Sequence, residues 1–224
     1  MQKRSYKRIT AVVSDLDGTI KSRGKEIEKQ VLTELSHLRK RGIKLILVSG
    51  RCIKELKELL DFSLFDVIVA ENGALVCRED KVINLAPEWW EEERKRLAEY
   101  FDSSCEEVII SAPRQLKELS ERIVDSSKER IEFNVDRFMI LPRGIDKGSG
   151  LTEALNLLGF HNDVGIMCIG DGENDLSLFR LASIKVAVRN SVDILKRHAD
   201  YVTINEDGAG VIEALHRFLD AKLK

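Results

Sequence analysis

Ile9-Thr10-Ala11-Val12-Val13 runs directly into Ser14-Asp15-Leu16-Asp17-Gly18-Thr19, and the reading of this junction decides the fold. Five residues, four apolar and four β-branched, ending at a polar, glycine-containing turn have the pattern of a short buried strand. Beyond the turn, Ile27, Val31, Leu35 and Leu38 recur at helical spacing, and Gly42 stands where a helix stop belongs. Ile43 to Val48 gives the next strand, Ile53 to Leu60 a second helix, and Asp66 to Ala70 a third strand. The order is βαβαβ.

Such alternation implies an α/β fold, a doubly wound parallel sheet with helices on both faces and right-handed crossovers. Ligands of these sheets bind beyond the carboxyl ends of the strands. Asp15, Ser49 and Glu71-Asn72-Gly73 each follow a strand, so they are expected at one edge. The pattern changes between Leu85 and Pro142, where a charged helix starts near Pro87-Glu88 and the strands become half-polar. The predicted organisation is a core formed by 1–84 and 144–224, interrupted by a small α+β cap over 85–143. After Lys147 the alternation resumes, with a helix through Leu158 and strands at Val164 to Ile169 and Ile184 to Val188.

The chain has 224 residues, 43% of them apolar and 33% charged, with a formal net charge of −2. That balance carries no electrostatic footprint for nucleic acid, and Lys3, Arg4, Lys7 and Arg8 read as a solvated basic start. Apolar runs such as Leu45 to Val48 are far below the ~20 residues of a membrane span. A cytoplasmic protein with no membrane partner is expected. Cys52, Cys77, Cys105 and Cys168 lack any Cys-x-x-Cys spacing, so neither a zinc site nor a disulfide is anticipated, only reduced, buried thiols.

Four pieces fall at the carboxyl edge: Asp15 with Asp17, Ser49, Lys147, and Gly170-Asp171-Gly172-Glu173-Asn174-Asp175. Clustered carboxylates repel unless a cation neutralises them, and an all-oxygen set suits Mg²⁺. Asp15 and Asp17, two apart on extended backbone, would face the same side. One carboxylate can attack phosphorus while the other moves protons; equally, Asp-Gly marks an ordinary polar turn. Lys147 at a helix start opposes the macrodipole, which calls for an anion beside it. Asp175 in a first helical turn needs no metal to be favourable there. Gly170-x-Gly172 is not a dinucleotide fingerprint, because Asp175 occupies the third glycine position.

Taken in order, Asp15-x-Asp17-Gly18-Thr19, Ser49, Lys147 before a helix, and Gly170-Asp171 with Asn174-Asp175 resemble the four motifs of the haloacid dehalogenase superfamily. The turn Glu71-Asn72-Gly73-Ala74 before the insertion resembles its Cof-like branch with a C2-type cap. The resemblance implies a Mg²⁺-dependent phosphatase with Asp15 as nucleophile and Asp17 as acid/base. It further implies Ser49, Lys147 and Asn174 as phosphate contacts, and a metal held by Asp15, Asp171, Asp175 and the backbone carbonyl of Asp17. The size of the insertion is similar to that in archaeal-type phosphoglycolate phosphatases, which implies a small phosphorylated metabolite, 2-phosphoglycolate first. Ser49-Gly50-Arg51 departs from the Thr-Gly-Asn of that group, so a sugar phosphate is the alternative substrate. A non-hydrolytic phosphoacceptor module and a phosphomutase are rivals of other classes. Arg114 and Arg143 are candidate contacts for the leaving group, and at least one of Trp89 and Trp90 belongs to the core of the cap.

Overall fold

The computed structural model describes residues 8–101, 105–133, 137–160 and 164–220. Lys3, Arg4 and Lys7 of the basic start lie outside them, as do 134–136 within the Ile131 to Leu141 strand region.

Strand β1 (Ile9–Ser14) leads to α1 (Lys29–Lys40), β2 (Lys44–Val48), α2 (Ile53–Leu59) and β3 (Val67–Ala70). A hairpin, β4 (Leu75–Arg78) and β5 (Lys81–Asn84), follows before α3 (Trp90–Ala98). Then come β6 (Ile110–Pro113), α4 (Lys117–Ile123), β7 (Glu129–Phe133) and β8 (Arg137–Pro142). Last are α5 (Lys147–Leu157), β9 (Gly165–Gly170), α6 (Leu176–Phe179), β10 (Ile184–Ala187), α7 (Asp193–His198), β11 (Tyr201–Val202) and α8 (Asp207–Leu215).

Eight strands make one sheet in the order β11-β10-β9-β1-β2-β3-β4-β5. Neighbours from β11 to β3 pair in parallel, and the hairpin adds two antiparallel strands at one side. The expected doubly wound α/β sheet is therefore present, while the hairpin is a departure from the sequence reading. Its strands are short and its outer strand is largely exposed, so no strong apolar pattern announces it. Apolar side chains are buried on both faces, Val12, Leu45 and Leu47 in one cluster and Val13, Ile46 and Val48 in another, which is why the central strands read as unbroken apolar runs.

The chain order reverses around β1, with β2 on one side and β9 on the other. Ligand sites of such sheets form at this switch point. Asp15 follows β1 and Asp171 follows β9, so the topology alone places them side by side.

A second, three-stranded antiparallel sheet, β6-β8-β7, is made by the inserted segment. Trp90 is buried beneath it and donates its indole N–H to the Val108 carbonyl at 2.8 Å, whereas Trp89 is exposed. The two layers meet at the turn after β3. Glu71 and Asn72 both take positive φ, 47° and 54°, a backbone region non-glycine residues rarely adopt. Gly73 follows at φ 106°, and a Cβ there would sit 1.9 Å from the Asp146 carbonyl oxygen. The turn is held by what it contacts: the buried Glu71 carboxylate accepts backbone N–H groups from Glu107 at 2.7 Å, Val108 at 2.7 Å and Ile109 at 3.0 Å.

One expectation is overturned. Cys52 and Cys105 are joined by a disulfide spanning 53 residues, linking the start of α2 to the inserted segment; Cys77 and Cys168 are free and buried. Sequence spacing could not reveal the pair, because the folding of the insertion back over the loop after β2 brings the two sulfurs together.

Replacing Glu71 with Ala strips three N–H groups, two of them buried, of their acceptor. It is expected to cost about 3 kcal/mol in urea unfolding. A loss below about 0.5 kcal/mol would mean that the turn is held by other contacts.

Candidate active site

Lys147 is the first residue of α5, whose N-cap Asp146 closes a capping box with Ser149. Its stem is buried, and its ammonium donates to Asp15 Oδ1 at 2.6 Å and to Asp175 Oδ1 at 2.7 Å. The anion that the unfavourable helix position calls for is thus supplied by two carboxylates of the chain. Burial alone would push the Lys147 ammonium down, yet Asp15 and Asp175 outweigh it and hold the group charged. Burial pushes the Asp15 carboxyl well up, and Asp175 and Asp171 add to that while Lys147 opposes it.

Asp175 organises the loop after β9. Its Oδ2 accepts the backbone N–H groups of Asp171 and Gly172, each at 2.9 Å, in addition to the Lys147 bond on Oδ1. Asp171 receives Thr19 Oγ1 at 3.2 Å and the Arg23 guanidinium at 3.0 Å. Its carboxyl is raised by burial and by Asp175, against the pull of Arg23 and Lys147. Gly18, at φ 85°, lets the loop after β1 pass Asp171 closely, since a Cβ there would lie 2.3 Å from Asp171 Oδ2. Asn174 donates to Asn72 Oδ1 at 3.0 Å, and Asn72 in turn donates to Glu132 of β7. This chain of side chains runs from the loop after β9 to the inserted sheet.

Asp17 is arranged differently. Arg51 grips it with two bonds, 2.5 Å from Nε and 3.0 Å from Nη2, and Lys21 adds a third at 3.0 Å. Burial pushes the Asp17 carboxyl up, but the hydrogen bonds and charges of Arg51 and Lys21 prevail and hold it below the usual aspartate range. Ser49 is buried after β2, and its Oγ accepts the Arg51 backbone N–H at 3.2 Å.

Asp15, Asp17, Ser49, Lys147, Asp171 and Asn174 line one cavity of about 580 Å³ between the large sheet and the inserted layer. Asp175 lies beneath it. Arg23, Arg51, Ser111, Arg137 and Met139 also face this cavity, and none of the five was singled out as a site residue from sequence. Arg114 instead lies over the Phe133 ring at 5.2 Å, and Arg143 donates to the Ser126 carbonyl at 2.6 Å. Neither lines the cavity.

Oxygen atoms of Asp15, Asp171 and Asp175 lie within 4.8 Å of one another, and all three residues are buried. A hard divalent ion with oxygen ligands fits such a donor set. The Asp17 carboxylate is not part of this cluster and is taken up by Arg51 and Lys21, which leaves its backbone carbonyl as that residue's available donor.

A doubly wound sheet whose switch point carries an aspartate on a buried lysine thus faces the inserted layer across the cavity. The sequence profile of the haloacid dehalogenase-like hydrolases matches residues 12–112 and 88–215. Phosphoglycolate phosphatase 2 of Saccharolobus solfataricus is 34% identical over 219 residues, covering 93% of this chain and 91% of that protein. The phosphoglycolate phosphatase of Sulfurisphaera tokodaii is 32% identical over 93% of this chain and 94% of its own. Among solved structures, Thermoplasma acidophilum 0175 shares the fold with a TM-score of 0.78 at 19% identity, over 94% of this chain and 98% of that one. A sugar phosphatase of haloacid dehalogenase subclass IIB shares it at 0.71 and 23%, over 93% and 98%. The chain belongs to the haloacid dehalogenase-like hydrolases and is an enzyme of their phosphatase class. Among the described residues no helix is long and apolar enough to cross a membrane.

Lys147→Met leaves Asp15 and Asp175 buried without their shared cation, which is expected to cost about 3 kcal/mol at neutral pH. The Asp15 carboxyl, already pushed up by burial, loses the one group that opposes that push, so the penalty exists where Asp15 is ionised in the unfolded chain and fades as it protonates. Urea unfolding at about pH 7 and about pH 4 should find the deficit smaller in acid. A deficit that grows on acidification contradicts the ion-pair account.

Proposed function

We propose that this enzyme hydrolyses a small phosphorylated metabolite, 2-phosphoglycolate, to glycolate and phosphate, with Mg²⁺ as its cofactor and an aspartyl-phosphate on Asp15 as the intermediate. The observation that carries the chemistry is the Asp15 carboxylate on the buried Lys147 ammonium, at the floor of a cavity lined by further cations. The substrate is supported by the near full-length similarity to phosphoglycolate phosphatases.

Asp15 and Asp171 would hold the ion, with Asp175 and the Asp17 carbonyl beside them. Bound there, Mg²⁺ supplies positive charge that neutralises the phosphoryl oxygens and the clustered carboxylates. Lys147 sits against the attacking carboxylate and offers its charge to the transferring group. Ser49 and the loop N–H groups after β1 position the phosphoryl oxygens, so that most of the rate comes from alignment and electrostatics.

In the first step an Asp15 oxygen forms a bond to phosphorus as the ester P–O bond breaks, and the leaving alkoxide takes a proton from the Asp17 carboxyl. In the second, Asp17, now a carboxylate, takes a proton from water as that water attacks phosphorus and the Asp15–phosphorus bond breaks. Phosphate leaves and both aspartates are restored. With the cavity free of substrate, Arg51 and Lys21 favour the ionised Asp17. The charge of the substrate's phosphoryl group beside Arg51 loosens that grip and lets Asp17 carry the proton the first step needs. The inserted layer acts as a cap that screens the reaction from bulk water.

Phosphate release from a panel of esters tests the reading. 2-Phosphoglycolate is expected to have the highest kcat/KM, and a hexose phosphate ranking above it would move the assignment to the sugar-phosphate branch. A chelator should abolish turnover and Mg²⁺ restore it. Asp17→Asn is expected to lower kcat by about 10²- to 10⁴-fold. A phosphoacceptor module would instead take up a single phosphoryl group and release none catalytically.

A further inference from the structure

The face that the inserted sheet turns toward the site is set by the period-two alternation of its strands. Met139 of β8 pairs with Ser111 of β6 on one side and with Glu132 of β7 on the other, so these three side chains stand in one row on one face. Glu132 meets Asn72 of the core, and a methyl group on Gly50, next to Ser49, would stand 3.4 Å from the Met139 sulfur. That row therefore forms the roof over the phosphate-binding loops. Arg137 lies two residues before Met139 on the same strand and hence on the same face, about 7 Å further along.

Arg137 is held in place by neutral partners. Its Nε donates to Ser111 Oγ at 2.8 Å and its Nη2 to the Ser111 carbonyl at 3.0 Å. Both bonds lie at the Nε and Nη2 edge of the guanidinium, and among the described residues no carboxylate forms an ion pair with it. Among the described residues no hydrogen bond engages Nη1 of this planar, permanently charged group, which lines the cavity. The other cationic groups on the wall are engaged: Arg23 with Asp171, Arg51 with Asp17, and Lys147 with Asp15 and Asp175. Glu106 also lines this part of the wall, and its carboxyl is pushed up by burial and drawn down by Arg137.

The geometry points to Arg137, fixed by Ser111, as the residue that selects phosphate esters whose leaving group carries a carboxylate. The phosphoryl group sits among the core loops with Lys147, and the carboxylate at the far end of the leaving group meets the open edge of the guanidinium under the roof. A charged fork on a pre-positioned stem suits a carboxylate better than a hydroxyl. This inference rests on the reading of the cavity as a phosphatase site and deepens it.

The test is steady-state kinetics of wild type, Arg137→Met and Arg137→Lys with 2-phosphoglycolate, 2-phospholactate and 3-phosphoglycerate, against ethyl phosphate, whose leaving group has no second charge. Arg137→Met should raise KM for the best carboxylate ester by about 10- to 100-fold, with kcat and the ethyl phosphate parameters little changed. Arg137→Lys should recover part of the loss. Equal loss on both kinds of ester, or no loss on the carboxylate esters, overturns the role of Arg137. So does a wild type that prefers ethyl phosphate to all three carboxylate esters. If the wild type prefers another carboxylate ester to phosphoglycolate, the substrate assignment fails while the role of Arg137 is still decided by that ester.

Discussion

A single ammonium group organises this molecule. Lys147 Nζ sits between Asp15 and Asp175 with almost no access to solvent. Removing an ion of this size from water costs several kcal/mol, and the cost is offset only when opposite charges stand at hydrogen-bonding distance. The carboxyl end of β1, the first turn of α5 and the loop after β9 must therefore converge to within a few ångströms. Asp175 carries the constraint onward by gathering the backbone N–H groups of Asp171 and Gly172. The result is a carboxylate, Asp15, that is oriented and electrostatically supported before any substrate arrives.

A second constraint couples this centre to the inserted layer. Gly73 is pressed against the backbone of Asp146, the residue just before Lys147, and the two preceding residues take left-handed conformations. Glu71 and Asn72 then reach in opposite senses. Glu71 holds the backbone leading into β6, and Asn72 bridges Asn174 to Glu132. Non-glycine residues stay in such backbone regions only where their surroundings over-determine them. Here they fix where the roof residues Ser111, Met139 and Arg137 stand relative to Lys147.

The core was legible because its strands are buried on both faces and read as continuous apolar runs, and because Asp15, Ser49 and Asp171 each follow such a run. What proximity in space creates was not legible. Cys52 meets Cys105 across 53 residues, and Arg23 meets Asp171 across 148. Arg51 was visible beside Ser49 as a departure from a familiar triplet, but nothing in the sequence said that it grips Asp17 from 34 residues away. Arg114 and Arg143 stand out in the sequence as basic residues of the insertion. The pleat of β8 instead turns Arg137 inward, a distinction that depends on strand register, and the adjoining 134–136 lie outside the described residues. The β4-β5 hairpin escaped for a different reason, its strands being too short and its edge too exposed to carry a clear pattern.

The central claim is that Asp15 itself becomes bonded to phosphorus. Given an aryl phosphate, whose leaving group needs no proton, Asp17→Asn should form this bond faster than it breaks it, because water then lacks its base. Mixing that variant with the aryl phosphate and Mg²⁺, quenching in acid and mapping peptides by mass spectrometry tests the claim directly. One phosphoryl group, labile to hydroxylamine, is expected on the peptide that carries Asp15. A phosphoryl group on any other residue, or none at all while the quenched sample contains released product, would contradict it.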